Sequence, residues 1–295
     1  MRDMMPRLGI IVVNYASSSL LLDNLTTLTL DVKETSVVVV DNFSTGVERV
    51  KVEQLCLAQQ WDLVTTTANV GFGIGINLGV NRARELMCSI FLLLNPDVLI
   101  TTEGVAELRG LVANDPLVLV SPRILRPDGS VWFDGGTVLV GRGTTSTRDD
   151  CNSEAAYGWL TGACLAVHIE LWTRLAGFDD DYFLYWEDVD LSWRCIESGG
   201  RLMVAHGTVV SHNVGGTQVG EGKSPAYVYY NCRNRLKFAV RHLSARDRRR
   251  WCRGSVGYAR VVLLRGGRRA LFRNFFPLAA AAARGTLAGL FIAAR

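Results

Sequence analysis

The sequence predicts an α/β protein with a mixed, mostly parallel sheet flanked by helices and a basic helical C-terminal extension. Through the first half of the chain, short β-branched runs alternate with helical stretches, as in sheets with crossover helices. The 295 residues are 48% hydrophobic and 20% charged, a balance that suits a packed core and excludes extended disorder. Charge is divided unevenly: residues 221–295 hold 17 Lys and Arg against 2 acids, and the rest of the chain holds 15 against 26.

Five strands and four intervening helices are predicted in the first half. The predicted strands are Leu8–Val13, Ser36–Val40, Asp62–Thr66, Ser89–Leu94 and Leu117–Ser121. The predicted helices cover residues 18–30, 46–60, 74–87 and 102–113. Residues 122–157 are rich in Gly, Thr and Asp and predict hairpins and loops. A strand over Cys164–Val167 and a helix that begins near Glu187 follow.

The charge asymmetry predicts two regions, a catalytic domain over 1–220 and a basic, amphipathic helical region over 221–295. In the second region, arginines interrupt the apolar stretches. The last stretch, Phe275–Ala294, contains Pro277 and Arg284 and therefore falls short of a clean membrane span. An interfacial anchor on an anionic membrane surface is predicted, with an ordinary helical subdomain as the alternative. Nucleic-acid binding would need aromatic side chains interleaved with the basic ones on one face, and no nucleic-acid partner is expected.

The cysteines and the N-terminus predict a cytoplasmic protein. Seven cysteines are scattered along the chain without a CxxC pair, which argues against a disulfide framework and a zinc knuckle. The run Leu8–Val13 is too short for a secretory signal and has no cleavage-site pattern after it. We therefore expect the chain to work in the reducing cytoplasm, peripherally associated with the cytoplasmic face of the membrane.

Polar residues follow the predicted strands, at the edge where ligands bind in such sheets. They are Asn14, Tyr15, Asp41, Asn42, Asn69, Gly71, Asn95 and Asp97. A carboxylate such as Asp41 can accept hydrogen bonds from a base or a ribose hydroxyl, and a simple turn aspartate is the alternative.

Glycines at positions 71, 73, 75 and 79 suggest a phosphate loop but do not satisfy the GxGxxG or P-loop spacing. They could let the backbone approach a nucleotide closely, or they could serve helix–strand packing.

Asp97, in Asn95-Pro96-Asp97, is a candidate metal ligand. Mg²⁺ and Mn²⁺ prefer oxygen ligands and are often held by one or two carboxylates together with substrate phosphates. A turn is the alternative for this tripeptide. His212, on a strand-like run, is a second candidate ligand, with a structural histidine as its alternative.

Three acids open the helix predicted near Glu187, directly after the aromatic run Tyr182–Trp186. Acids in a first helical turn offset the helix dipole, and Asp190 can pair with Arg194 four residues later. Three acids beside an aromatic wall suggest a general base with a sugar platform.

Taken in order, these segments resemble the family 2 glycosyltransferases with a GT-A fold, particularly bacterial rhamnosyltransferases of cell-wall and surface-polysaccharide assembly. The resemblance runs from Ile11 to about Asn234. The matching stretches are Val12–Tyr15, Val40–Ser44, Asn69–Gly73 with Asn77, Leu94–Val98, Gly162–Leu165, Gly177–Asp179, and Phe183–Leu191 with Arg194.

The resemblance implies a role for each matching residue. Asp41 would contact the nucleoside, Asp97 would ligate the metal, and His212 would contact the metal or the diphosphate. Asp188 would be the catalytic base, with Glu187 beside it in the catalytic pair. The other donor-binding residues would be Asn14, Tyr15, Asn42, Asn69, Gly71, Phe72, Asn77, Asn95, Trp186 and Arg194.

The implied activity is inverting, Mg²⁺- or Mn²⁺-dependent transfer of a sugar, most closely L-rhamnose from dTDP-β-L-rhamnose, to a saccharide or lipid-linked saccharide. Asn95 departs from the family pattern, since many relatives have an aspartate there, and the metal is expected to bind weakly without donor. A UDP-sugar donor and a non-catalytic nucleotide- or membrane-binding protein are the alternatives.

Overall fold

A computed structural model describes residues 6–147, 156–212 and 223–294. Its strands form a large mixed sheet and a small antiparallel one. The strands are β1 (Leu8–Asn14), β2 (Thr35–Asp41), β3 (Asp62–Thr65), β4 (Ile90–Leu94), β5 (Val98–Leu99), β6 (Val118–Leu125), β7 (Val131–Phe133), β8 (Gly136–Leu139), β9 (Thr144–Ser146), β10 (Ala156–Trp159), β11 (Cys164–His168) and β12 (Arg201–His212).

Helices cover the sheet and form the C-terminal part of the described chain. They are α1 (Ser18–Leu25), α2 (Gly46–Gln59), α3 (Phe72–Glu85), α4 (Thr102–Asn114), α5 (Ile169–Leu175), α6 (Glu187–Glu197), α7 (Pro225–His242), α8 (Ala245–Arg253), α9 (Ser255–Leu264), α10 (Arg268–Arg273) and α11 (Phe275–Ala294). The five predicted strands and four predicted helices of the first half are all present, and α6 begins at Glu187 as predicted.

Helix α1 ends earlier than predicted, at Leu25. The hydroxyl groups of Thr26 and Thr27 donate hydrogen bonds to the Leu22 and Asn24 carbonyls. Threonine side chains compete with the helical backbone in this way, and they are poor helix formers.

The large sheet has the order β3-β2-β1-β4-β11-β6-β12-β5, with β7 paired to β6. Strands β3, β2, β1 and β4 are parallel neighbours, so their carboxyl ends meet at one edge. Strand β11 then runs antiparallel to β4, which places the residues before Cys164 at that same edge. The predicted α/β class with a mixed sheet is confirmed. The candidate site lies at the edge where the parallel strands β1 to β4 end.

Glycines in α3 allow this helix to lie close to the sheet. A Cβ at Gly79 would come 2.4 Å from the side chain of Ile11, and one at Gly75 would come 3.0 Å from Val13. Of the two interpretations of the glycine run, helix–strand packing is the one that applies to these positions.

The C-terminal helices share a second hydrophobic core with α6. Trp186 and Trp193 pack against Phe238 of α7, and Phe238 stacks on Trp251 of α8. The predicted boundary at 220/221 falls within residues 213–222, outside the described residues. On the described side, α7 and α8 complete the packing around the acid-bearing helix.

By length and composition, helix α11 is long and apolar enough to cross a membrane. Of its most apolar 18-residue stretch, 22% is buried inside the protein. Length and composition thus also allow a span, in contrast to the expectation from Pro277 and Arg284, and the interfacial anchor stays a prediction. The same helix also lies against α7, because Gly285 and Gly289 meet the α7 backbone so closely that a Cβ would come 2.3 Å from the Tyr229 carbonyl oxygen and 3.1 Å from that of Arg233.

Candidate active site

The carboxyl ends of β1 and β2 bring Asn14 and Asp41 side by side in register. Both side chains are buried, and the Asn14 amide donates to one Asp41 carboxylate oxygen at 3.3 Å. Arg49 of α2 donates to the other oxygen at 2.7 Å and also bonds the Thr66 carbonyl. Asp41 is therefore a carboxylate oriented at the sheet edge by two side-chain donors, and the half-exposed Tyr15 directly follows Asn14 in the chain.

Asn42 ties the loop after β3 to this cluster. Its amide nitrogen donates to the Asn69 side chain at 3.0 Å and to the Gly71 carbonyl at 3.1 Å. Its side-chain oxygen accepts from the Val70 backbone N–H at 2.8 Å. The predicted donor-binding residues Asn14, Asp41, Asn42, Asn69 and Gly71 are thus brought together at one edge of the sheet.

Position 71 requires a glycine because of its backbone conformation and because of the nearby Phe183 backbone. Its φ is +93°, and a Cβ there would come 2.4 Å from the Phe183 carbonyl oxygen. That carbonyl accepts a 2.9 Å hydrogen bond from the Phe72 N–H. The start of α3 therefore touches the aromatic segment that precedes the acids of α6.

Asp97 and His212, both predicted metal ligands, form a buried pair. The Asp97 Oδ1 to His212 Nε2 distance is 3.0 Å, and the two side chains are 5% and 6% exposed. The edge of the His212 ring faces Trp132, with 4.5 Å between ring centroids. The buried Nδ1 of His212 has no hydrogen-bond partner in the part of the chain that the structure describes.

This pair fits a divalent metal site that substrate completes. Asp97 Oδ1 and His212 Nε2 are hydrogen-bonded at 3.0 Å, and this spacing is also close to the about 3 Å between neighbouring octahedral ligands at about 2.1 Å from a metal. Within 6–147, 156–212 and 223–294, no three His, Cys, Asp or Glu side chains could hold a metal ion together. Asn95, which lies just after β4, adds no carboxylate to the set.

Asp188 lies in the first turn of α6, and its carboxylate bonds Gly162 at the edge of the sheet where the strands β1, β2 and β4 end. One carboxylate oxygen accepts the Gly162 N–H at 3.2 Å, and the other accepts the Val189 N–H at 2.8 Å. The next residue, Ala163, accepts the Asn95 N–H at 2.8 Å, so Asp188 lies beside the end of β4. Burial raises the pKa of Asp188 from 3.8 to about 6, although the two backbone bonds lower it.

Glu187 is buried next to Asp188, and its Oε2 has no hydrogen-bond partner among the described residues. Burial raises the pKa of Glu187 well above its usual range, and the Asp188 and Asp190 charges raise it further. The two carboxyl groups thus differ, since Asp188 has two backbone N–H donors that stabilise its charged form, whereas burial and two neighbouring charges favour the protonated form of Glu187.

Asp190 pairs with Arg194 as predicted, at 2.7 Å, but it does not lie on the helix surface. It is fully buried and also contacts His242 Nε2 of α7 at 2.7 Å. Burial raises the pKa of Asp190, but the His242 and Arg194 bonds outweigh it and hold the pKa below its usual range. Asp190 therefore joins α6 to α7.

Two predicted donor-binding residues, Asn77 and Arg194, make structural contacts. Asn77 bonds the Phe178 carbonyl, the Phe178 N–H and the Asp180 carboxylate. The Arg194 guanidinium bonds Asp190 and the carbonyls of Leu175 and Gly177, at the end of α5.

Trp186 corrects the expectation of an aromatic sugar platform. The side chain is 4% exposed and lies between Phe238 and Trp251. An indole packed on two other rings is a core residue, because little of its face is left for a sugar ring.

Three residues of the site had no assigned role from the sequence. Arg49 orients Asp41, Gly162 binds Asp188, and Asn234 bonds the segment before α6. In the sequence, the only indication of a role for Gly162 is that it lies in one of the matching stretches. Arg49 and Asn234 have no short-range signal, since their partners lie in other elements of the fold.

Comparison with known proteins supports a glycosyltransferase. No protein-family model matches the sequence. The chain is 28% identical over 256 residues, 77% of this chain and 80% of the relative, to an N-acetylglucosaminyl-diphospho-decaprenol L-rhamnosyltransferase of Mycobacterium tuberculosis. It is 25% identical over 205 residues, 65% of this chain and 62% of the relative, to the low-salt glycan biosynthesis hexosyltransferase Agl10 of Haloferax volcanii.

Solved structures share the fold at lower identity. The mannosyltransferase PcManGT from Pyrobaculum calidifontis, in complex with GDP-Man and Mn²⁺, matches with a TM-score of 0.60 and 18% identity over 98% of this chain and 88% of its own. GalNAc-T7 with UDP, GalNAc and Mn²⁺ matches with a TM-score of 0.57 and 12% identity over 86% of this chain. This chain spans 55% of the GalNAc-T7 chain.

The chain therefore has the GT-A fold and is a glycosyltransferase similar to a bacterial L-rhamnosyltransferase. The alternative of a non-catalytic nucleotide- or membrane-binding protein is set aside. Both structures named above contain Mn²⁺, which is consistent with dependence on a divalent metal.

Proposed function

We propose that the chain transfers L-rhamnose from dTDP-β-L-rhamnose to a hydroxyl of a lipid-linked saccharide, with inversion at the anomeric carbon. The observation that carries this proposal is the position of the Asp188 carboxylate. It accepts a hydrogen bond from the Gly162 N–H, which places it beside the end of β4, and burial raises its pKa to about 6. The name of the M. tuberculosis relative supports both the sugar and an N-acetylglucosaminyl-diphospho-polyprenol acceptor.

The proposed reaction is a single displacement. Asp188 accepts the proton of the acceptor hydroxyl while that oxygen bonds to the anomeric carbon and the bond from this carbon to the diphosphate oxygen breaks. The leaving group is dTDP, and attack opposite to it inverts the configuration from β to α. The raised pKa of Glu187 favours its neutral form, which would avoid a second negative charge beside the base.

The nucleoside would bind at the Asp41 cluster. Asp41 is held by Arg49 and Asn14 at the ends of β1 and β2, and the half-exposed Tyr15 ring offers a face for a base. Gly71 and the α3 N-terminus lie next to it, where backbone N–H groups favour anionic phosphate.

Asp97 and His212 would hold Mg²⁺ or Mn²⁺ with the donor diphosphate as further ligand. When bound, the metal would offset the negative charge that develops on the leaving diphosphate. This arrangement needs few protein ligands because the substrate phosphates supply the rest.

A donor panel tests the proposal. We expect release of dTDP from dTDP-β-L-rhamnose, dependent on an N-acetylglucosaminyl-diphospho-polyprenol acceptor, to exceed release from UDP- and GDP-hexoses by at least an order of magnitude. Nucleotide release with purified full-length chain measures it. A clear preference for a UDP-sugar such as UDP-galactofuranose would contradict the rhamnose assignment while leaving the fold and the base unaffected.

We further propose that α11 binds an anionic membrane surface at the cytoplasmic face. The outward side of α11 carries Phe276, Leu287 and Phe291, which are 83%, 66% and 61% exposed. Arg268, Arg269, Arg273 and Arg284 lie on α10 and α11, so the apolar face has cationic neighbours. In an interfacial helix, the apolar side chains enter the lipid and the arginines beside them lie at the headgroups. The free cysteines of the described chain support a reducing compartment.

Substituting Phe276 and Leu287 with serine should lower binding to phosphatidylglycerol vesicles by on the order of 10²-fold, since each buried side chain contributes about 1.5–3 kcal/mol. Vesicle co-sedimentation measures it. The matched control is Leu57→Ser with Met87→Ser, both exposed and far from α11 in the sequence. Equal sedimentation of the α11 variant and the control would contradict the proposal. Deleting the helices is unsuitable, because Trp251 of α8 is fully buried.

A further inference from the structure

The turn before α6 contains two consecutive residues with left-handed backbones. Tyr185 has φ +64° and Trp186 has φ +76°, and they are the only such adjacent non-glycine pair among the described residues. Such a backbone is unfavourable for a residue with a side chain and persists only where its surroundings hold it. Glu187 and Asp188 follow at once, so the shape of this turn sets where the two acids point.

Asn234 of α7 holds the turn from one side. Its side chain is fully buried, and its amide nitrogen donates one hydrogen bond to the Leu184 carbonyl and one to the Tyr185 carbonyl, both at 2.9 Å. Its side-chain oxygen accepts from Arg233 at 2.6 Å. All the bonding capacity on the nitrogen is directed at two successive carbonyls of the strained turn.

Neighbouring contacts fix the rest of the segment. Phe183 stacks on Tyr230 of α7, with 5.0 Å between centroids and 19° between planes. The Phe183 carbonyl, on the opposite side, bonds the Phe72 N–H of α3. The turn is therefore held between the start of α3 and α7.

We propose that Asn234 is a positioning residue for Asp188. By bonding the Leu184 and Tyr185 carbonyls, it holds the left-handed turn that aims the Asp188 carboxylate along the first turn of α6. It acts through the backbone and does not touch substrate. The inference rests on the proposed role of Asp188 as the base.

Asn234→Ala should lower kcat for transfer by on the order of 10–10²-fold, because a displacement of about 1 Å at a reacting group can cost 10²-fold. Donor affinity should stay within a few-fold, since the Asp41 cluster does not contact Asn234. The matched control is Asn231→Ala. Asn231 is also buried on α7, but among the described residues its side chain bonds only the Tyr227 carbonyl of its own helix, at 2.9 Å. Its kcat should remain within a few-fold of the unmodified chain.

A glycine at position 185 provides the decisive comparison. Glycine adopts left-handed backbones freely, so the turn needs the clamp less. Tyr185→Gly added to Asn234→Ala should therefore restore kcat several-fold over Asn234→Ala. A purely stabilising role for Asn234 would not produce this recovery, and absence of recovery contradicts the proposal. Equal kcat values for Asn234→Ala and Asn231→Ala contradict it as well.

Folding and the base are controlled separately. Every variant is assayed well below its own thermal midpoint, and Asn234→Ser, which keeps one donor, replaces Asn234→Ala if the alanine variant does not fold. Asp188→Asn is assayed in parallel. A native rate in Asp188→Asn overturns the base assignment, whereas a slow Asp188→Asn beside a native rate in the Asn234 variant overturns only the positioning role.

Discussion

Asp188→Asn is expected to lower the rate of sugar transfer by on the order of 10²–10⁴-fold, the usual contribution of a positioned general base. The amide keeps the size of the carboxylate but cannot accept the proton of the acceptor hydroxyl. Donor affinity should change by no more than a few-fold, because the Asp41 cluster is untouched. Single-turnover transfer and equilibrium donor binding measure the two quantities.

Two neighbouring acids are the controls for Asp188. Glu187→Gln should keep most of the transfer rate, because burial and the Asp188 and Asp190 charges raise the pKa of Glu187 and favour the neutral form that glutamine resembles. Asp190→Asn should mainly lower the free energy of unfolding, by about 3–5 kcal/mol, since it removes the carboxylate charge from a buried ion pair with Arg194 and disturbs the contact with His242. A collapse of transfer confined to Glu187→Gln, with Asp188→Asn near normal, would move the base to Glu187.

The pH dependence follows from the direction of the Asp188 pKa shift. A base works only when deprotonated, and burial moves the pKa upward to about 6. Transfer should therefore be lost as the pH falls through about 6 and should be complete above it. The Asp188→Asn variant should not show this loss of rate at low pH, and that result would assign the pH dependence to Asp188.

Chelation is expected to abolish transfer, and added Mg²⁺ or Mn²⁺ should restore it. Asp97→Asn should lower kcat by on the order of 10²–10³-fold, comparable to the loss of one preorganised electrostatic group. Donor binding with and without Mn²⁺ provides a second measurement, because the variant should lose the metal-dependent part of dTDP affinity.

Asp62→Asn is the matched control for Asp97. Asp62 begins β3, which is the strand at the other end of the sheet order from β5 beside Asp97, and it pairs with Arg82 at 2.6 Å. Full activity of Asp97→Asn in chelator, or equal losses in both variants, would refute a metal role for Asp97.

The fold of the first half could be predicted because its signals are local. Four consecutive valines ahead of Asp41 specify a buried strand, and polar residues directly after each strand mark the edge at which ligands bind. The acids that open α6 were placed correctly for the same reason. The register that pairs Asn14 with Asp41 then follows from parallel neighbours of equal length.

The contacts of the C-terminal helices could not be predicted, because they join residues far apart in the chain. Asp190 and His242 are 52 positions apart, and Asn234 lies 50 residues after the Leu184 carbonyl it holds. Trp186 illustrates the consequence. Beside acids it suggests a sugar platform, but α7 and α8 bury it, and sequence spacing does not indicate which aromatic side chains a later helix will cover.

The most direct test of the central claim is the configuration of the product made by the full-length chain from dTDP-β-L-rhamnose and an N-acetylglucosaminyl-diphospho-polyprenol acceptor. Nuclear magnetic resonance of the isolated product, through the one-bond carbon–hydrogen coupling at the anomeric position, reports it. Displacement in one step with Asp188 as base predicts an α-L-rhamnoside. A β-L-rhamnoside, or no transfer of rhamnose under conditions where another sugar is transferred, would contradict the account.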